Sequence, residues 1–258
     1  MLKFDELNQL KRFFSTMELS EDKKKQRCDF AYLLYDAIFY TFAAINAQNL
    51  NITHNELKSR IEEAFEQEGV KHTPEYIGRL TGNILSKPDY DTRNIIDTKE
   101  SEVVKDVLSN IKAENFNAEP FRQTLTDRLT ETFDKEGIPY EPDYIPKLVD
   151  EIIQTTNRHP GDPYYLSKDR ALLIAQNESN TAYNHADYAT ARQSGKNYKV
   201  WITEGDEKVR EAHVEVDMMR IPINEMFSVG NDMMRYPHDF LNGSAENLVN
   251  CRCVCTYE

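Results

Sequence analysis

Three cysteines at alternate positions, Cys251, Cys253 and Cys255, are the residues in this chain whose types and spacing most directly suggest chemistry. On an extended strand, residues i, i+2 and i+4 point to one face, so the three sulfurs would be presented together. With His213 as a fourth ligand they would form a Cys3His set, a recognised way of holding structural zinc. Zinc is the one cofactor the sequence raises. Two observations weigh on the other side: zinc motifs usually place two or more residues between paired cysteines, and free cysteines behave as small apolar residues that favour the inner face of a sheet. Disulfides within the cluster are disfavoured, because residues two apart on a strand have Cα atoms about 7 Å apart, at the limit of disulfide geometry. With Cys28 the only other cysteine, the chain reads as one built for a reducing compartment.

His213 supports a second kind of chemistry. Asp206, Arg210 and His213 follow one another at three to four residues, a spacing suited to a local ion pair and hydrogen bonds that fix a turn. Asp217 could orient the imidazole as a general base, as in a nuclease or hydrolase. The other parts of such a machine are thin. The sequence has no Gly-rich phosphate loop, no G-x-S-x-G elbow and no H-E-x-x-H, so no residue is assigned a catalytic role. His238, in the Tyr236-Pro237-His238-Asp239 loop, is a further histidine that could join the cysteines.

These residues need elements to hold them. Ser167 can cap a helix that runs to about Arg192 and stops at Gly195. One face of that helix carries Arg170, Asn177, Thr181, Asn184 and Tyr188. A polar stripe at this spacing is ordinarily a solvated face; the alternative is a network with the segments that follow. Tyr198 to Thr203 alternates as a strand, Val209 to Val216 is a short helical or extended piece, and Asn250 to Tyr257 again reads as a strand. The expectation is a small α+β module. The turn formers of Asn157-Arg-His-Pro-Gly-Asp-Pro163 place a boundary before it, giving a helical domain over 1–160 and the module over 161–258.

The first domain contains an internal repeat. Leu57-Lys-Ser-Arg60-Ile-Glu-Glu63-Ala-Phe65-Glu-Gln-Glu68-Gly69 returns as Leu125-Thr-Asp-Arg128-Leu-Thr-Glu131-Thr-Phe133-Asp-Lys-Glu136-Gly137, and Pro74-Glu-Tyr76-Ile77 returns as Pro142-Asp-Tyr144-Ile145. The repeat spans about residues 57–88 and 125–156. Each copy predicts a helix with apolar residues at i, i+4 and i+8, closed by Gly and followed by a helix opening with Pro. The apolar faces are expected to pack on each other or on the apolar helix near 26–47. That helix is interrupted by Asp36 and reads as a buried helix, not a membrane span.

With 258 residues, 40% of them hydrophobic, the chain can bury a sizeable core. Its net charge of −13 is spread over both parts, with ten Lys and Arg against fifteen Asp and Glu in residues 161–258. Net charge therefore does not support contact with DNA, and protein partners are favoured. The N-terminus does not read as a cleaved leader, so export is not expected.

Taken in order, the segments Arg170-Ala-Leu-Leu-Ile-Ala-Gln-Asn-Glu178, Trp201-Ile-Thr-Glu-Gly-Asp206, Val209-Arg210-Glu-Ala-His213, Tyr236-Pro237 and Glu246-Asn-Leu-Val-Asn250-Cys251-Arg252-Cys253 resemble the C-terminal module of the phage Mu F-like minor head protein family, over about residues 168–258. Arg170, Glu178 and Asn184 match recurrent positions of that pattern, which favours the polar network over a solvated helix face. The resemblance implies that Arg170, Glu178, Asn184, Trp201, Asp206, Arg210, His213, Tyr236, Pro237 and Asn250 hold the module together, and only Cys251 and Cys253 of the three cysteines belong to its motif. It also implies a phage or prophage head protein that binds the portal, meets capsid or scaffold proteins, resides inside the virion and assists assembly or genome delivery. The alternative is a toxin-like enzyme, a nuclease or ADP-ribosyltransferase, associated with the phage head; its effector would be expected within 1–160, where no nucleophile or carboxylate pair stands out. The family pattern commonly has Asp-Gly after the histidine and Tyr-Pro-Gly-Asp later. This chain has Asp217-Met218 and Pro237-His238-Asp239, and loss of those glycines predicts loops that run differently.

Overall fold

A computed structural model describes residues 4–48, 52–86, 95, 98–114, 116–160 and 162–258. Gly161 of the expected linker lies outside the described residues. Ten α-helices and two small antiparallel sheets are found among the described residues, an α+β protein that is helical through its first two thirds. Compactness divides the chain into two units: one comprises Met1–Ile38, Leu125–Leu148 and Lys168–Glu258, the other Phe39–Thr124 and Val149–Ser167.

In the second of these units, α3 (His54–Gln67) and α4 (Pro74–Leu85) form a hairpin and α5 (Thr98–Glu114) packs beside it. Both hairpin helices begin at threonines whose side chains accept a backbone N–H, Thr53 from Glu56 and Thr73 from Tyr76. Leu57, Ile61 and Phe65 of α3 meet Ile77, Leu80 and Ile84 of α4 and Val104, Leu108 and Ile111 of α5 in one buried cluster. Gly69 closes α3 at φ 66, with Val70 N–H on the Phe65 carbonyl at 2.8 Å and Gly69 N–H on that of Glu66 at 3.2 Å. This is the paired-bond cap that a left-handed glycine permits.

The first unit contains α1 (Phe4–Ser15), α2 (Glu21–Gln48) up to Ile38, α6 (Arg122–Glu136) from Leu125, the start of α7 (Tyr144–Asn157) and the long α8 (Lys168–Gln193). Gly137 caps α6 as Gly69 caps α3, at φ 64 with Ile138 N–H on the Phe133 carbonyl. The following helix differs between the two hairpins. Pro74 lies in the first turn of α4, whereas α7 opens at Tyr144, two residues after Pro142. Where α4 has Thr73 as its cap, the matching position before α7 is Glu141, whose carboxylate is bonded to Arg235 at 2.7 Å. Phe133 packs edge-on against Phe30 of α2 at 5.0 Å and against Tyr144 at 5.5 Å. α2 includes the one stretch among the described residues long and apolar enough to cross a membrane, Glu21–Asn46. In the first unit its Phe30, Ala31, Leu34 and Ile38 are buried.

After α8 the chain builds a sheet of order β2-β1-β5 from β1 (Tyr198–Ile202), β2 (Arg220–Pro222) and β5 (Val254–Tyr257), with both pairings antiparallel. A second hairpin joins β3 (Phe227–Val229) to β4 (Asp232–Met234). Short helices α9 (Glu211–Val214) and α10 (Ala245–Leu248) flank these strands. Trp201 of β1, Val216, Phe227, Val229 and Met234 form the buried cluster that receives Cys251 and Cys253.

Candidate functional site

The polar stripe of α8 is buried and forms a clamp. Asn177 Oδ1 accepts the backbone N–H of Asn250 at 2.8 Å, Asn180 Nδ2 donates to the Cys251 carbonyl at 3.1 Å, and Asn184 Nδ2 donates to the carbonyls of Pro237 at 3.0 Å and Cys253 at 3.3 Å. Residues 177, 180 and 184 share one helix face, so successive turns of α8 hold successive carbonyls and amides of the cysteine segment. Behind them lies the fully buried Arg27 of α2, which donates to Asn180 Oδ1 at 2.8 Å and Asn184 Oδ1 at 3.0 Å and meets Asp187 at 3.4 Å. Glu178 accepts the Tyr144 hydroxyl, and His185 Nδ1 meets the Tyr236 hydroxyl at 2.9 Å.

The clamp changes the geometry of the cysteines. The strand expected over 250–257 begins only at Val254, and Cys251 and Cys253 precede it. Asn250 turns the chain with φ 59, and the carbonyls of Cys251 and Cys253 go to the α8 asparagines instead of a neighbouring strand. The three sulfurs therefore do not share a face as expected. Cys255 sits in β5 opposite Trp201 and packs between the Trp201 cluster and that of Tyr188, Ile223 and Tyr236, where burial pushes its thiol up to about 12. It is not part of the group formed by His213, Cys251 and Cys253, whose ligand atoms all lie within 4.8 Å of one another.

Within that group His213 Nδ1 is 3.4 Å from Cys253 Sγ and 3.6 Å from Cys251 Sγ, and Cys253 N–H points at Cys251 Sγ at 3.4 Å. Asn247 decides which imidazole nitrogen carries the proton. Its Nδ2 donates to the Val229 carbonyl at 3.0 Å and to Asp232 Oδ2 at 2.8 Å, so Oδ1 is the atom that faces His213 Nε2 at 3.2 Å. An amide oxygen only accepts; Nε2 bears the hydrogen and Nδ1 turns a lone pair toward both sulfurs. Trp201 packs edge-on to this ring at 5.6 Å. The group is closed off from solvent, with exposures of 1% for His213, 2% for Cys251, 4% for Cys253 and 5% for Asn247. Burial opposes ionisation at Cys251, yet its pKa is lowered, chiefly by the hydrogen bond from the Cys253 thiol. The same hydrogen bond between the two sulfurs, with burial second, raises that of Cys253.

Other expected site residues lie elsewhere. Asp206, Arg210 and His213 do not pair through their side chains, although local hydrogen bonds fix the turn, with Lys208 N–H on Asp206 Oδ1 at 3.1 Å and His213 N–H on the Arg210 carbonyl at 2.9 Å. Asp206 pairs with Arg252 at 2.7 Å, and Arg210 donates to the Val249 carbonyl from the residue preceding α9. Asp217 does not orient His213 either; it accepts the Thr203 backbone N–H at 2.8 Å. Arg170 is buried in α8, Pro237 presents its carbonyl to Asn184, and Tyr236 is buried. The loops lacking the family's glycines keep a left-handed backbone, with φ 59 at Met218 and 62 at His238. Asn180, Asn247 and Arg27 are central to this arrangement and were not singled out by sequence reasoning.

The family profile described as Phage Mu protein F like protein matches residues 123–256, a little over half of the chain. The chain belongs to this family of phage head proteins. The match reaches upstream of the motifs at 168–258 and takes in α6 and α7, in keeping with the packing of Leu125–Leu148 in the same compact unit as Lys168–Glu258. No curated protein and no solved structure gives a significant match. The family places the protein with the virion and among capsid components.

Proposed function

We propose that this protein is a minor head protein that binds the portal of its phage inside the procapsid and assists assembly or genome delivery. Membership of the Mu F-like family carries this reading. Residues 161–258, together with the α6 and α7 segments that the family match includes, are the shared module. The helices upstream are the adaptor that meets the particular portal and its capsid or scaffold neighbours. Arg170, Glu178, Asn184, Trp201, Asp206, Arg210, His213, Tyr236, Pro237 and Asn250 hold the module's fold. The net charge of −13 suits a protein partner better than the DNA backbone. The protein is made in the host cytoplasm and enclosed during assembly. Neither the comparisons nor the closed geometry around His213 favours the toxin-like enzyme.

Co-expression with the portal protein encoded by the same phage tests the reading. A stable complex on size exclusion, and the chain's presence in purified procapsids, are expected. A portal that elutes alone, with procapsids that lack the chain, would overturn it.

A further inference from the structure

The cysteine pair lies beside a second histidine that the 4.8 Å group does not include. His238 is fully buried, and its Nε2 lies 2.7 Å from the Cys251 carbonyl. A carbonyl only accepts, so Nε2 carries the hydrogen and Nδ1 carries a lone pair. That Nδ1 has no hydrogen-bond partner. A buried acceptor without a donor costs free energy, and the position is itself unusual: a histidine at φ 62, a conformation glycine adopts without strain. That bond to the Cys251 carbonyl holds the ring beside the cluster.

We propose that the first unit contains a structural zinc site in which Cys251 Sγ, Cys253 Sγ, His213 Nδ1 and His238 Nδ1 are the four ligands. Both histidines have the arrangement a metal ligand needs, with the far ring nitrogen donating to an oxygen, Asn247 Oδ1 for His213 and the Cys251 carbonyl for His238, and the near nitrogen unprotonated. The Cys251 sulfur also has a donor, since Cys253 N–H points at it. Metal binding displaces the thiol protons of Cys251 and Cys253 to solvent, leaving two thiolates, two neutral imidazoles and a divalent cation. That set is electrically neutral, which suits a buried site. Cys255 is not needed. His213, Cys251 and Cys253 are the three ligands already gathered, and His238 is the fourth that zinc would have to draw in.

A cysteine, a histidine on Nδ1 and an asparagine behind it is also the order of groups in a cysteine nucleophile. Burial favours the metal, since an ion needs no substrate-sized opening. The test uses the untagged, full-length protein, stripped with chelator and offered zinc against a chromophoric competitor, with cobalt as a spectroscopic probe. About one zinc per chain is expected, with a cobalt spectrum showing thiolate charge transfer and tetrahedral ligand-field bands. Cys251→Ser should abolish both signals. His238→Gln keeps an amide donor near the Cys251 carbonyl while removing the ligand nitrogen; it should remain folded by circular dichroism and bind zinc at least about tenfold more weakly. Failure of the folded wild-type protein to take up zinc would overturn the site, as would rapid alkylation of Cys251 in zinc-saturated protein. Undiminished binding by His238→Gln would overturn the four-ligand assignment.

Discussion

Asn180 of α8 donates its Nδ2–H to the carbonyl of Cys251 at 3.1 Å while its Oδ1 accepts from Arg27 at 2.8 Å. One amide thus satisfies both a buried guanidinium and the backbone of the cysteine segment. Asn180→Ala takes an acceptor from the buried guanidinium, while the Cys251 carbonyl keeps His238 Nε2 at 2.7 Å, and loss of a bond to a buried charged donor costs about 1–3 kcal/mol. The expected result is a destabilisation of about 1–3 kcal/mol in urea unfolding. A change below about 0.5 kcal/mol would mean that the clamp is not a source of stability.

Met218 offers the opposite experiment. Its side chain is exposed while its backbone is left-handed, at φ 59. Met218→Gly removes a conformational penalty of about 1–2 kcal/mol and adds part of it back through the greater freedom of glycine in the unfolded chain. A net gain of about 0.5–1 kcal/mol is expected, measured as a rise in the thermal midpoint.

Lys199 is fully buried and donates to the carbonyls of Glu225 at 2.6 Å and Arg235 at 2.5 Å. Burial lowers its ammonium pKa from 10.5 to about 8. Below pH 8 both folded and unfolded chains hold the proton, and the full penalty for burying the charge is present. Between about pH 8 and 10.5 the folded chain has released a proton that the unfolded chain still binds, so this group's contribution to stability rises with pH. Urea midpoints of wild type and Lys199→Met, compared at pH 7.5 and 10, should shift in favour of the wild type at the higher value; a constant difference would refute the assignment.

Arg235 closes a bidentate pair on the fully buried Asp239, at 2.8 and 2.6 Å, and reaches Glu141 at 2.7 Å. Arg235→Met leaves the buried carboxylate without its cation, at a cost of about 3–5 kcal/mol. The double variant Arg235→Met/Asp239→Leu should recover part of that loss, because removing both partners of a buried pair costs less than removing one. Denaturant unfolding of the two variants side by side measures the difference.

Much of this architecture could be read from local signals. Gly69, Gly137 and Gly195 each end a helix in a left-handed conformation, as a glycine after an amphipathic run predicts. The stripe on α8 was visible as spacing, although its burial was not. Sequence spacing alone cannot distinguish a face that meets water from one that meets carbonyls. The cysteine geometry was misjudged because alternation along a strand requires a partner strand throughout, and β1 pairs only with residues 254–257. Asn247 left a trace in the Glu246-Asn-Leu-Val segment, where it is the middle of a short helix. Arg27 left none, since its partners Asn180 and Asn184 are 153 and 157 residues away.

The order in which the clamp is made also sets a schedule for the ribosome. α8 emerges with three asparagines that find Arg27 upstream, while their partners in the cysteine segment lie 69 to 73 residues further along the chain. Until Asn250, Cys251 and Cys253 have been translated and have left the exit tunnel, those amide groups lack that half of the clamp. A nascent chain stalled before residue 250 lacks the segment that seals it.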